Sequence, residues 1–385
     1  MTEEMQKTYR IGPIRPPSEA NSLLLQITEG CTWNRCKFCS LYRRRKFKAF
    51  SVESIKRDID VMAEYAKLAQ EHLLQDGSWN KRAALVQRLE KMTHAEQECY
   101  YFIYRWLAHG GENVFLQDGN SLAVKTERVL EVLRYLREKL PSIRRITTYG
   151  RAETLSKISV EQYKQLKEAG LDRIHSGFES GSDNVLKLIN KGVTSDQEIT
   201  AGRNIKEAGI EFSVYFMPGI GGKKYSRENA LETARVASAI NPDFLRIRSA
   251  VIHKGSDLWN DFLDGSFQLC SENEKLMEIK LLIENIKDCT TVLVSDHIIN
   301  LLQNVQGRVD LDRQKMLSLI DEYFNMPEYK QKMFQIARRS GIVTDPSDLN
   351  LLPRDWVERF SATIELIKDE AEWDYKMNSM MAHYI

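Results

Sequence analysis

The sequence contains few cysteines and prolines and no excess of charge of either sign. Its 385 residues include six cysteines and nine prolines, and 55 Lys and Arg residues stand against 54 Asp and Glu, for a net charge of +1. So few cysteines exclude a disulfide-based secreted scaffold. A balanced charge excludes a general attraction to nucleic acid or anionic lipid, so such a partner would need a local basic patch.

Long apolar stretches are also missing. No run reaches the ~18 residues that span a membrane, and residues 1–10 are polar, without the apolar segment of a secretory signal. Hydrophobic residues make up 42% of the chain and charged residues 28%, which is ordinary for a globular protein. We therefore expect a globular cytoplasmic protein in a compartment that keeps thiols reduced.

Three of the six cysteines are clustered, at Cys31, Cys36 and Cys39. A 4Fe–4S cluster normally takes four thiolates, one for each iron, so a group of three holds the cluster and leaves one iron open to another ligand. A closed electron-transfer site would need a fourth cysteine nearby. The remaining cysteines are far away and lack metal-ligand spacing: Cys99, Cys270 and Cys289.

Two simpler interpretations of the cysteines stay open at this point. The three thiols could be buried without a ligand, or they could form part of a zinc site. Zinc would require a fourth ligand, and the nearest histidines in the sequence are His72, His94 and His109.

The cysteine run resembles the cluster loop of radical S-adenosylmethionine (SAM) enzymes, with Phe38 at the aromatic position before the third cysteine. The usual family spacing is Cys-x3-Cys-x2-Cys, whereas four residues separate Cys31 from Cys36 here. Residues 15–28 and 42–48 are similar to an uncharacterised subgroup with this Cys-x4-Cys-x2-Cys spacing, whose core is like that of the Elp3 and B12-type members. Residues 1–21 leave no room for a preceding cobalamin domain, which disfavours a cobalamin-dependent methyltransferase.

From residue 22 to about residue 250, short β-branched segments alternate with amphipathic helical segments, the pattern of repeated βα units. Six strands are predicted, at residues 23–28, 113–117, 145–149, 173–177, 211–216 and 244–249. The resemblance implies an α/β fold, a partial (β/α)6 radical-SAM barrel. Active sites of barrels lie at the C-terminal ends of the strands. The cysteine loop follows the first strand, so we expect it to lie at that end of the barrel.

We expect three regions. Residues 1–21 form an N-terminal extension, and residues 22–256 form the partial barrel, with a helical insertion at about residues 62–108. Within the insertion we predict a break at residues 75–78 and a helix over residues 81–106. A mostly helical C-terminal region follows at residues 257–385, with a final helix predicted over residues 356–380.

The resemblance also implies residues that bind SAM. Three of them, Gln117, Asp118 and Gly119, stand where the family has a turn that receives the methionyl ammonium group. Glu179 and Ser180 match a segment near the SAM ribose and methionyl group. Further candidates are a carboxylate clamp and a glycine-rich segment beside the adenine: Arg151, Met217 and Gly219. Each strand end could instead be an ordinary polar turn.

Possible substrate residues are predicted with less guidance from the family. Arg246 and Arg248 alternate on the sixth strand and suggest an anionic substrate group, although charge balancing inside a packed barrel is an equal alternative. His297 and Asn300 belong to a stretch that is similar to one in the same subgroup. A lone histidine near apolar residues is more often structural. The basic residues 43–48 are more often a solvated loop than a binding patch.

Taken together, the resemblance implies an oxygen-sensitive radical SAM enzyme that binds a 4Fe–4S cluster and SAM. Reductive cleavage of SAM gives a 5′-deoxyadenosyl radical, which abstracts hydrogen from an unidentified substrate. The low-potential electron would come from ferredoxin or flavodoxin. Alternatives are cleavage of a different SAM carbon–sulfur bond, with aminocarboxypropyl transfer, or a non-catalytic iron–sulfur protein that senses redox state or binds nucleic acid through residues 43–48.

Overall fold

The computed structural model describes residues 7–13, 15–43, 45–73 and 86–384. The chain divides into two compact units. Unit 1 comprises Met1–Thr32, Arg44–His175 and Glu207–Ile210, and unit 2 comprises Trp33–Arg43, Ser176–Lys206 and Glu211–Ile385. The cysteine loop therefore begins in unit 1, with Cys31, and continues into unit 2, with Cys36 and Cys39.

Unit 1 is built on parallel strands. The strands of the unit are β1 (Leu23–Gln26), β2 (Thr28–Glu29), β3 (Lys48–Ala49), β4 (Asn113–Gln117), β5 (Arg145–Tyr149) and the first part of β6 (Leu171–Glu179). β1, β4, β5 and β6 pair in parallel in that order, and β2 and β3 form a short antiparallel pair. All four residues of β1 are buried, as expected of a parallel strand that is covered on both faces.

The helices of unit 1 are α1 (Val52–Leu73), α2 (His94–Ala108), α3 (Thr126–Lys139), α4 (Ala152–Leu155) and α5 (Val160–Glu168). The prediction of one helix over residues 81–106 is wrong at residues 91–93, which are not helical. α2 begins after them because Thr93 and Glu96 form a reciprocal capping box. The predicted break at residues 75–78 lies outside the described residues.

Unit 2 also contains parallel strands. β6 passes into this unit, followed by β7 (Glu211–Phe216), β8 (Phe244–Ile247), β9 (Val292–Val294) and β10 (Gly307–Arg308). β7, β8 and β9 pair in parallel, and β10 is antiparallel to β9. Within unit 2 these four strands have the order β7-β8-β9-β10. The predicted α/β fold and all six predicted strands are confirmed.

In unit 2, two strands were not predicted. β9 and β10 lie in the region after residue 257, which we expected to be mostly helical. They contain only three and two residues, so neither is long enough to show an alternating pattern.

The helices of unit 2 are α6 (Asp183–Leu188), α7 (Ser195–Glu207), α8 (Gly222–Ile240), α9 (Asp257–Leu263), α10 (Glu272–Asn285), α11 (Val309–Phe324), α12 (Glu328–Arg339), α13 (Arg354–Leu366) and α14 (Glu370–Met381). The single final helix predicted over residues 356–380 is wrong. Ile367 has extended backbone, and the Asp369 side chain caps α14 by accepting from the N–H of Glu372 at 2.8 Å. Short 3₁₀ turns occur at Pro17–Glu19, Ser121–Ala123, Pro346–Leu351 and Ala382–Tyr384. Among the described helices, none combines the length and apolar character required to cross a membrane.

Candidate active site

The three clustered cysteines are half-buried, and none of them forms a disulfide. Their loop has irregular backbone, with left-handed conformations at Gly30 (φ 84°) and Asn34 (φ 51°). Cys36 and Cys39 share a turn in which the N–H of Cys39 donates to the Cys36 carbonyl at 3.2 Å. Where side chains are described, no group of three or more His, Cys, Asp or Glu residues converges on a single metal ion. A 4Fe–4S cluster does not require such convergence, because each thiolate binds a different iron.

In unit 1, Asp118 fixes the start of the cysteine loop. Its side chain is fully buried, and Oδ2 accepts from the N–H of Gly30 at 2.8 Å and from Gln26 Nε2 at 3.3 Å. Its own backbone has φ 91°, a conformation that is strained for a residue other than glycine. The neighbouring Gln117 exchanges two hydrogen bonds with the main chain of Gly12, at 2.6 and 2.9 Å. This strand end is therefore tied to both the N-terminal segment and the loop.

Arg151 brings a positive charge to the first cysteine. Its Nη1 lies 3.8 Å from the Sγ of Cys31, and the side chain is almost fully buried. The N–H of Arg151 donates to Asn120 Oδ1 at 3.0 Å, while Asn120 Nδ2 donates to Thr32 Oγ1 at 2.9 Å and to Thr154 Oγ1 at 2.8 Å. Asn120 thus joins the turn after β4 to the cysteine loop and to α4. Asn120 was not among the residues predicted from the sequence.

In unit 2, the second half of the cysteine loop is held by the segment that follows β8. The carbonyl of Lys37 accepts from the N–H of Leu258 at 2.9 Å, and Lys37 Nζ pairs with Asp261 at 2.7 Å. Ser40 Oγ lies 2.7 Å from His253 Nε2. Burial lowers the pKa of His253, so its imidazole is neutral at pH 7. These contacts position the residues on both sides of Cys39.

The basic residues after the cysteines have partners of their own. Arg43 forms an ion pair with Asp257 at 2.9 Å, and Lys48 Nζ lies 4.9 Å from the centre of the Phe50 ring. Arg44 lies outside the described residues. At least two of these cations therefore contact protein groups.

Glu179 forms a buried ion pair with Lys191 at the end of β6. Lys191 Nζ lies 2.9 Å from Glu179 Oε1 and 5.6 Å from the centre of the Phe38 ring. Glu179 has φ 68°, and its carbonyl accepts from the N–H of Met217 at 2.9 Å. A Cβ at Gly177 would lie 2.2 Å from Glu179 Oε1, so a larger residue at that position would displace the carboxylate. Lys191 was not predicted, because it lies on a loop twelve residues after Glu179 and belongs to no motif of its own.

The loops after β6 and β7 are joined through α8 and α10. The N–H of Gly219 donates to Glu278 Oε1 at 3.1 Å, and Glu278 Oε2 accepts from Asn229 Nδ2 at 2.7 Å. One turn further along α8, Thr233 Oγ1 accepts from the N–H of Gly181 at 2.8 Å and donates to the Asn229 carbonyl. Burial raises the pKa of Glu278 to about 7.

Ser180 and Asn300 are engaged in internal contacts. Ser180 is fully buried, and its Oγ accepts from the N–H of Ser182 at 3.0 Å. Asn300 Oδ1 accepts from the N–H of Ser249 at 2.9 Å, while its Nδ2 donates to the Ile247 carbonyl at 2.8 Å. Asn300 therefore joins the loop after β9 to the end of β8, which indicates a positioning function for this side chain.

A comparison with models of protein families shows which family the chain belongs to. The family model described as the Radical SAM superfamily matches residues 25–234. The chain belongs to the radical SAM superfamily. It is therefore an enzyme of the class that binds a 4Fe–4S cluster and SAM, as the cysteine run predicted.

Curated relatives match only parts of this radical SAM protein. An uncharacterized methyltransferase of Pyrococcus horikoshii is 31% identical over 96 residues, which are 25% of this chain and 20% of that protein. A tRNA uridine(34) acetyltransferase of Methanocaldococcus infernus is 21% identical over 51% of this chain and 38% of its own length. A 4′-phospho-dehydrooxetanocin synthase of Priestia megaterium is 26% identical over 51% of this chain and 23% of its own length. The chain thus spans well under half the length of each of these relatives.

Solved structures of radical SAM proteins are similar at low sequence identity. The cobalamin-dependent enzyme OxsB, with aqua-cobalamin and SAM bound, aligns with a TM-score of 0.46 and 14% identity, covering 93% of this chain and 57% of OxsB. Elp3 of Methanocaldococcus infernus aligns with a TM-score of 0.41 and 18% identity, covering 64% of this chain and 58% of Elp3.

The residues present fit the cluster of a radical SAM enzyme. None of the three thiols forms a disulfide, and each is half-buried rather than enclosed in the core. Arg151 directs an N–H toward the sulfur of Cys31, where it can hydrogen-bond a metal-bound sulfur. The loop around them has irregular backbone and is held by hydrogen bonds at both ends, from Gly30 to Asp118 and from Leu258 to Lys37, which suits a ligand set that must keep its geometry.

Proposed function

We propose that this enzyme holds a 4Fe–4S cluster through Cys31, Cys36 and Cys39 and cleaves SAM reductively. When bound, the reduced cluster supplies the electron that breaks a SAM carbon–sulfur bond and yields a 5′-deoxyadenosyl radical, which takes hydrogen from a substrate. The observation that supports the proposal is the set of three half-buried cysteines, none of them in a disulfide, on one loop within the matched family region.

Residues of unit 1 would bind the methionyl part of SAM. Arg151 lies beside Cys31, where its guanidinium can also pair with a carboxylate such as that of SAM. Asp118 and the carbonyls of the Gln117–Gly119 turn can accept from the methionyl ammonium group. Because the Asp118 carboxylate also fixes Gly30, this residue would couple ligand binding to the geometry of the cysteine loop.

Residues of unit 2 would serve the nucleoside. Glu179 can accept hydrogen bonds from the ribose hydroxyls, and Lys191 neutralises its charge and fixes its orientation. The Met217–Gly219 turn is held by Glu278, and glycine at position 219 allows close approach of the backbone to an adenine ring. Ser180 would act by holding the turn after Glu179, because its hydroxyl already accepts from the N–H of Ser182.

Members of this superfamily need a reductant. We propose a small low-potential protein, ferredoxin or flavodoxin, as the electron donor. The free cysteines outside the loop do not suggest a second cluster, since Cys99, Cys270 and Cys289 are each buried. The three regions outlined from the sequence, with a barrel at residues 22–256 and a helical region at residues 257–385, remain our proposal for the domain boundaries.

The test is product analysis after anaerobic cluster reconstitution, reduction with dithionite and addition of SAM. We expect 5′-deoxyadenosine from the native protein and none from Cys36→Ala. The matched control is Cys99→Ala, which removes a buried thiol outside the loop and should leave the product unchanged. Methylthioadenosine as the product would indicate cleavage of a different bond. No SAM-derived product from the native protein would refute the proposal.

A further inference from the structure

Two arginines at the end of β8 differ in their surroundings. Arg246 is buried, and its Nε donates to Ser213 Oγ at 3.2 Å while Nη1 lies 3.7 Å from Asp296 Oδ2. Arg248 is half-buried, and its main-chain N–H is fixed by the Phe216 carbonyl at 2.9 Å. Within the part of the chain that the structure describes, the Arg248 guanidinium makes no hydrogen bond or ion pair. Its charge is therefore available to a ligand.

The loop after β9 is held close to this strand end. Asn300 accepts from both the N–H and the Oγ of Ser249, at 2.9 and 3.1 Å. From α12, the buried Arg338 donates through Nη2 to the carbonyls of Ile298 at 3.1 Å and Asn300 at 3.3 Å. The backbone around His297 is thus fixed from two sides, so the imidazole is presented at a defined position.

His297 is positioned as a neutral hydrogen-bond donor. Its Nδ1 accepts from the N–H of Ile299 at 3.3 Å, which leaves the proton of the neutral ring on Nε2. Burial and the nearby positive charge of Arg248 lower the pKa of His297 to about 4. At pH 7 the site therefore offers a guanidinium and an imidazole N–H, two donors that suit a negatively charged oxygen group.

We propose that Arg248 and the Nε2–H of His297 bind an oxyanion of the substrate, a carboxylate or a phosphate group. The nearby Asp296 is directed to Arg246 and balances that cation, so the charge of Arg248 is left for the ligand. The site lies past the C-terminal end of a parallel strand, where ligands of βα folds bind. The inference rests on the proposed function only in naming the ligand as part of the substrate.

The test uses the reconstituted full-length protein with SAM present. Inorganic phosphate and acetate are titrated separately by calorimetry at low ionic strength, which shows whether the site prefers phosphate or carboxylate. We expect the preferred anion to bind at least about tenfold more weakly to Arg248→Met, because a charge-assisted pair is lost. His297→Ala should show a smaller loss.

The matched control is Lys254→Met, which removes an exposed cation a few residues further along the same loop and should bind the anion like the native protein. SAM affinity should be unchanged in all variants. Anion binding that is absent in the native protein, or equal in Arg248→Met, would overturn the inference, as would a loss of SAM affinity in Arg248→Met. If Arg248→Met does not fold, as judged by circular dichroism, His297→Ala decides the question. Formation of 5′-deoxyadenosine is followed in parallel, so failure of the proposed function is recognised separately.

Discussion

Replacing Glu278 by Gln should change how the stability of the protein depends on pH. Glu278 is fully buried on α10 and accepts from Gly219 and Asn229 at the turn after β7. Burial raises its pKa from 4.5 to about 7. Because the folded protein then holds a proton that the unfolded chain has released, this group stabilises the fold fully below about pH 4.5, and the contribution is lost as the pH rises through about 7.

The size of the effect follows from the two pKa values. The interval from 4.5 to about 7, at about 1.4 kcal/mol for each pKa unit, corresponds to about 3 kcal/mol. Gln cannot lose a proton, and its Oε1 can still accept from the N–H of Gly219. Its amide N–H can donate to Asn229 Oδ1, a buried atom without a hydrogen-bond partner among the described residues, once the Asn229 amide flips. The variant should therefore lack the loss of stability that deprotonation of Glu278 causes in the native protein as the pH rises.

The assay is urea unfolding of the native protein and of Glu278→Gln at several values between about pH 5 and about pH 9. The difference between their free energies of unfolding should change by about 3 kcal/mol over this interval, in favour of the variant at high pH. The control is Glu284→Gln on the same helix, the same replacement at a partly exposed side chain that lacks the burial of Glu278. Parallel stability curves for Glu278→Gln and the native protein would refute the reasoning.

Three further substitutions test the candidate site. Asp118→Ala removes the acceptor for the N–H of Gly30, so it should lower the iron content after reconstitution and should lower the free energy of unfolding by about 1–3 kcal/mol. Unchanged iron content would contradict this prediction. Lys191→Met leaves the buried Glu179 carboxylate unpaired, so it should lower the free energy of unfolding by about 3–5 kcal/mol, measured by urea unfolding. It should also weaken SAM binding, measured by equilibrium dialysis. Native SAM affinity in this variant would argue against a cofactor role for the pair. Gly177→Ala places a Cβ 2.2 Å from Glu179 Oε1 and should weaken SAM binding at least about tenfold by displacing that carboxylate, so wild-type affinity would show that the carboxylate does not contact SAM.

The fold could be predicted where a helix or strand is long enough to show a periodic pattern of apolar residues. The predicted strand bounds at residues 113–117, 145–149 and 211–216 match the structure, because apolar residues there are bounded by turn residues. β9 and β10 were missed because two or three residues carry no pattern. The division between α13 and α14 was missed because the apolar positions continue past Ile367, and only the cap at Asp369 reveals the new helix.

The candidate site could be predicted only where its residues form local motifs. The cysteine run, the Asp118 turn and Glu179 all lie in short segments with recognisable spacing. Their partners do not: Lys37 and Asp261 are 224 positions apart, and no local pattern links them. The same holds for Lys191, whose pairing with Glu179 depends on how the loop after α6 returns to the end of β6. Contacts of this kind arise from tertiary packing, which a single sequence does not encode in any local period.

The most direct test of the central claim is the paramagnetic resonance spectrum of the dithionite-reduced, reconstituted protein with and without SAM. Our account predicts a 4Fe–4S signal that changes when SAM is added, in the native protein and in Cys99→Ala, and no such signal in Cys36→Ala. A reduced cluster whose spectrum is indifferent to SAM, or a full signal in Cys36→Ala, would contradict it.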